Sequence, residues 1–177
     1  MTLEELKAHC KSGDVLFSYS GNILSRAIWF ISTLWTNTVH EKKVSHAFIY
    51  MGRGMIVEES LSGVVIVNIE EYRASSYQLQ AYRYTGPKIN AALLVDNCRM
   101  AAGVVQYSFV ELLYILIKKV FRVKHVGKAE KNAQICSAFV LSQYRKIGVD
   151  LLPGIYGADV TPLELSRSKF LAPVPEK

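Results

Sequence analysis

Cysteine is scarce: Cys10, Cys98 and Cys136 are all there is in 177 residues. An odd count at such wide spacing argues against a disulfide framework and suits a reducing compartment. There is no Cys-x-x-Cys pair and no His/Cys cluster, so no structural zinc site is expected. Long apolar runs are missing too. The most apolar segment, residues 104–123, is broken by Gln106, Ser108, Glu111, Lys118 and Lys119, short of the roughly 18 uninterrupted apolar residues of a membrane span. The N-terminal stretch MTLEELKAHCKSGD has no apolar core of the kind a secretory signal carries, and a cytoplasmic setting follows as the expectation, with peripheral membrane contact left open. Zinc-finger spacing, RNP-like strings and aromatic-interleaved basic motifs are also lacking, so nucleic acid is not an expected partner. No repeat or linker divides the chain, which reads as one domain over residues 1–177.

What is present is a globular composition, half hydrophobic and a fifth charged, too apolar for a disordered chain. Ten tyrosines against seven phenylalanines and two tryptophans supply side chains that suit the wall of a cleft. The formal net charge is +6, and the densest basic run is KKVFRVKHVGKAEK at residues 118–131. Such a run fits an anionic surface, with a solvated loop as the plainer alternative.

The pattern of elements is mixed. Thr2 and Glu5 have capping-box spacing for a short helix over residues 2–11, followed by a turn and a strand at Val15-Leu16-Phe17. Apolar residues Ile23, Leu24, Ala27, Ile28, Ile31, Leu34 and Trp35 recur at helical spacing and predict a helix packed on a sheet. Residues 45–51 and 55–60, joined by Gly52-Arg53-Gly54, predict a β-hairpin. Strands at 64–69 and 78–84 extend it into a meander. Helices are expected over 88–102 and 109–121, and from Cys136 to a C-cap at Gly148, with a short helical turn at 161–168.

Cys136 opens its helix, where the macrodipole and free N–H groups favour a thiolate; the plain alternative is a small buried hydrophobe. A thiol nucleophile needs a base and a group to orient that base. Of four histidines, His46 opens a β-prone run, whereas His9, His40 and His125 sit among charged or polar neighbours. Glu58 lies across the predicted hairpin from His46. Strand alternation sends Glu58 and Glu59 to opposite faces, so one of them supports His46 and the other faces solvent.

Five blocks then carry a resemblance: GDVLF at 13–17, SHAFIY at 45–50, IVEESLSGV at 56–64, QYSFVELL at 106–113 and ICSAFV at 135–140. Together, in this order, they resemble the permuted NlpC-type, papain-like cysteine hydrolases, the YiiX/YebB-like group. In that group the histidine strand comes first and the nucleophile helix last. The resemblance implies an α+β, papain-like fold, with an antiparallel sheet of about four to six strands against helices. It implies Cys136 as nucleophile, His46 as base and Glu58 as its orienting acid. It also implies a tyrosine near the oxyanion site, matched by Tyr107, although the lead-in Val105-Gln106 departs from the group's small-residue-Pro-Tyr; Tyr19 is the alternative. No metal or cofactor is implied. The activity implied is cleavage of an amide or ester bond in a small peptide or lipid-like acyl substrate through an acyl-enzyme. A non-catalytic lipid- or peptide-binding module and a lipid acyltransferase on the same fold are the alternatives.

Overall fold

The computed structural model describes residues 1–36, 43–60, 63–103, 106–107, 133–134, 136–155 and 160–175. The expected helix at 109–121 and the basic run at 118–131 lie outside them. The chain begins with α1 (Leu3–His9), where Thr2 accepts the Glu5 N–H and the Glu5 carboxylate caps Thr2 in return. It continues through β1 (Val15–Tyr19), α2 (Ile23–Thr36), β2 (His46–Gly52), β3 (Met55–Ser60) and β4 (Gly63–Asn68). A 3₁₀ turn (Ile69–Tyr72) leads to β5 (Gln78–Tyr84) and α3 (Ala91–Ala101). Two short strands, β6 (Gln106–Tyr107) and β7 (Ala133–Gln134), precede α4 (Cys136–Lys146), α5 (Pro162–Ser166) and β8 (Leu171–Pro173).

Six strands form one sheet in the order β4-β3-β2-β1-β5-β8, and every pairing in it is antiparallel. The meander stops at three strands: β5 crosses back to pair with β1 and does not follow β4. β8, which carries no alternation to announce it, ends in Pro173 and takes the edge beside β5, the place where a residue without an N–H is tolerated.

The β2–β3 hairpin turns through Arg53 and Gly54, both left-handed at φ 54° and 74°, as a tight turn matched to strand twist requires. Just before it the register shifts. Tyr50 pairs with Ile56, but Gly52 pairs with Met55, so Met51 is an extra residue in β2, a β-bulge.

Alternation divides the sheet's apolar residues between two cores. Val15, Phe17, Ala47, Ile49 and Val57 pack under α3 and α4 with Leu94, Cys98, Phe139 and Tyr144. Leu16, Phe48, Tyr50, Ile56 and Leu79 pack on the other side with Leu6 of α1, Ile69 and Val174. The expectation for α2 needs correction. Its main packing partner is α5 and not the sheet, and Ile23, Leu24 and Leu34 of the predicted buried face are exposed.

Candidate active site

Two elements of different provenance meet at one end of the sheet. α4 starts at Cys136 and runs over the first residues of β2, with Ser137 fully buried and its hydroxyl donating to the Val160 carbonyl at 2.5 Å. That bond ties the helix's first turn to the segment entering α5, whose own start is fixed by a Thr161–Glu164 capping box. The Cys136 sulfur, partly exposed, receives the backbone N–H groups of Ala47 and Ser137 and is hydrogen-bonded to His46.

His46, the first residue of β2, lies between two partners. Its Nε2 is 2.7 Å from Glu58 Oε2; with Nε2 so engaged, the other ring nitrogen is left for the Cys136 sulfur, to which His46 also bonds. The same Glu58 oxygen accepts from the Tyr72 hydroxyl, and the Tyr72 ring stacks on Phe48 with centroids 4.9 Å apart. Sulfur, imidazole, carboxylate and phenol thus form one continuous hydrogen-bonded chain.

The electrostatics follow from the pairing. Burial raises the Cys136 thiol, but the His46 charge and hydrogen bond outweigh it, and the thiol ends below its ordinary value. Burial disfavours the charged His46 ring, yet the Cys136 sulfur and the Glu58 carboxylate push it up to about 10. Glu58 ends below the usual carboxylate range: desolvation raises it and the bonds from His46 and Tyr72 more than compensate. The other two thiols go the opposite way. Burial pushes both Cys10 and Cys98 up to about 12. Cys136 alone among the three has a thiolate-favouring environment.

The group opens into a cavity of about 210 Å³ walled by Ser18, Ser45, Tyr72 and Tyr77, with Leu24 and Ile28 of α2 at one side. Cys136 itself lies on the wall of this cavity.

No protein-family model matches the sequence, and no curated protein matches it. A crystal structure of metalloprotein YiiX from Escherichia coli O157:H7 superimposes with a TM-score of 0.65 at 15% identity, covering 96% of this chain and 98% of that one. The chain has the YiiX fold.

Identity this low carries the architecture and not the chemistry, and "metalloprotein" describes the E. coli protein. The described residues do not fit a metal centre. Among the described residues no group of three or more His, Cys, Asp or Glu is arranged to hold an ion. His46 spends its Nε2 on Glu58 and bonds Cys136 as well, leaving no ring lone pair directed at a metal.

The fold brings Cys136, His46 and Glu58 together. Glu58 is the carboxylate on His46, but Glu59 does not face solvent as expected: it is 1% exposed and lines the same cavity. Tyr19 is displaced from the site. Ser18 pairs with His46 across β1–β2 and lines the cavity, so alternation turns Tyr19 to the opposite face, where its ring meets Trp29 edge-on at 6.5 Å. For Tyr107 only the backbone is described. It pairs with Gln134 in the parallel β6–β7 ladder, two residues before Cys136, and its side chain lies outside the described residues. Tyr72 had no signal in the sequence: a lone tyrosine at the end of a 3₁₀ turn, 14 residues beyond its partner Glu58. No helix among the described residues is long and apolar enough to cross a membrane.

Proposed function

We propose that the chain is a cysteine hydrolase that cleaves an amide or ester bond of a small peptide or lipid-like acyl substrate through an acyl-enzyme. The observation carrying this reading is the His46 ring held between the Cys136 sulfur and the Glu58 carboxylate, beside an open cavity. The order of these groups, histidine strand first and cysteine helix last, is that of the permuted NlpC-type papain-like hydrolases that the sequence blocks resemble.

In the reaction, His46 holds the proton taken from Cys136, and the thiolate attacks the substrate carbonyl. The developing oxyanion is met by the Cys136 backbone N–H, one of the free donors at the start of α4. Collapse expels the amine or alcohol, which takes the proton from His46, and leaves a thioester on Cys136. Water, deprotonated by His46, then attacks the thioester, releasing the acid and restoring the thiolate–imidazolium pair. Glu58 keeps the ring oriented and stabilises its charge throughout. A reducing compartment, which three dispersed thiols suit, keeps the nucleophile in its working state.

Turnover of a panel of acyl esters and amides by the wild type, Cys136→Ala and His46→Ala tests the reading. Both variants are expected to keep the wild-type circular dichroism and to lose activity, His46→Ala by at least about 10²-fold as for a lost general base. Iodoacetamide at mildly acidic pH is expected to label Cys136 and spare Cys10 and Cys98. Full activity in Cys136→Ala, or equal labelling of the three thiols, overturns it.

A further inference from the structure

Helix α2 is attached to the molecule along one side. Ser25 and Ile28 line the cavity, as does Leu24 at its rim; Ser32 is fully buried; and the helix packs against α5. At 100° per residue the opposite side carries Ile23, Ala27, Phe30 and Leu34, spaced by four, three and four in a single narrow stripe. Its three large members are exposed: Ile23 by 89%, Phe30 by 57% and Leu34 by 61%. Apolar side chains scattered singly on a surface need no explanation, but a contiguous row of them does.

The charge around this row is one-sided. No Asp or Glu occurs anywhere in residues 15–40. Arg26, exposed, projects beside the stripe. Lys43, also exposed, sits over the rings of Tyr19 and Trp29 at 5.5 and 5.1 Å, next to the helix. The chain as a whole carries +6. Two copies meeting face to face across α2 would bring like charges together without a carboxylate to answer them. A surface that is apolar beneath an anionic layer complements both features at once.

We propose that the outer face of α2 docks this protein onto an anionic lipid bilayer. Ile23, Phe30 and Leu34 enter the boundary between headgroups and acyl chains, while Arg26 and Lys43 meet lipid phosphates. The proposal concerns binding and stands whether or not Cys136 turns over substrate.

The test is co-sedimentation of the full chain with vesicles of phosphatidylcholine alone and of phosphatidylcholine containing phosphatidylglycerol, at low and high salt. Binding is expected to the anionic vesicles, at least about tenfold weaker to the neutral ones, and weakened by salt as surface electrostatics are screened. The Phe30→Glu, Leu34→Glu pair is expected to weaken it at least tenfold with circular dichroism unchanged, and Arg26→Glu several-fold. If glutamates at these exposed positions unfold the chain, Phe30→Ala with Leu34→Ala serves the same comparison. No affinity for anionic vesicles, or unchanged affinity in the double variant, overturns the proposal. So does a lipid-free dimer that Phe30→Glu splits, since a second copy would then own the face. Iodoacetamide labelling of Cys136 in the same samples keeps the two readings apart: docking can fail with selective labelling intact, and labelling can fail with docking intact.

Discussion

At the residue scale the proposed chemistry depends on which groups are hydrogen-bonded into one chain. Glu58 accepts from both His46 and Tyr72 on a single oxygen, so in the proposed hydrolase Tyr72 is a positioning residue acting through Glu58. Tyr72→Phe removes a bond to a charged acceptor and is expected to lower kcat/KM on the order of tenfold. Because that bond helps hold Glu58 down, the acid limb of the pH profile should also move upward. A fall in rate with no movement of the profile would assign Tyr72 to packing alone. The same pairs make stability depend on pH. His46 is raised from 6.5 to about 10, so its contribution is complete below 6.5 and is lost as pH rises through about 10. Glu58 is lowered from 4.5, so its contribution is complete above 4.5 and is lost as pH falls through its depressed value. Thermal unfolding should show the pair's full contribution between pH 4.5 and 6.5. His46→Ala should flatten the alkaline decline.

At the element scale the β2–β3 hairpin decides the identity of the site. An unbroken ladder from the Gly52–Met55 pair would set Phe48 opposite Glu59, and Glu59 would share His46's face. The bulge at Met51 moves the register by one, so Phe48 faces Glu58 instead, and every β3 side chain beyond it exchanges faces. Alternation made it legible that only one of the two glutamates reaches His46. Which one depended on a bulge that leaves no mark in YMGRGM. The turn itself holds a non-glycine residue, Arg53, at φ 54°, a conformation disfavoured for a residue with a long side chain. Arg53→Asn, giving the Asn-Gly pair that such turns favour, is expected to stabilise the protein by about 0.5–1 kcal/mol. The urea midpoint checks it; a lower midpoint would mean that the Arg53 side chain contributes more than its backbone costs.

For the whole molecule, one ion pair joins three distant parts. Arg83 of β5 donates to Asp14 Oδ1 and Oδ2 at 2.9 and 2.7 Å and to the His9 carbonyl at 2.8 Å. It thereby clamps the end of α1 and the entry to β1 onto β5. The Asp14 side chain is only 4% exposed, so Arg83→Met leaves a buried carboxylate without its cation. That is expected to cost about 3 kcal/mol, read from the denaturant midpoint, with Asp14→Asn in the same chain recovering part of it. The Tyr144 hydroxyl, donating to the Gly13 carbonyl, secures α4 to the same turn. Tyr50 of β2 exchanges backbone hydrogen bonds with Gly13 and Asp14, so the helix that begins at Cys136 and the strand that begins at His46 are both referred to one buried junction.

Local chemistry determined a good deal unaided. Thr2 with Glu5 announced α1 and the alternation of QLQAYRY announced β5, because each signal depends on neighbours a few residues apart. Cys136 and His46 stood out only through the order of ICSAFV and SHAFIY along the chain, which a family resemblance supplied. Tertiary structure alone decided the rest. It placed β5 beside β1, put β8 on the edge, sent Tyr19 away from the cleft and buried Glu59. It also brought Tyr72 onto Glu58 and left Ile23, Phe30 and Leu34 of α2 exposed. Each of those outcomes depends on how elements far apart in the chain register and pack, and helical or strand periodicity carries no record of that.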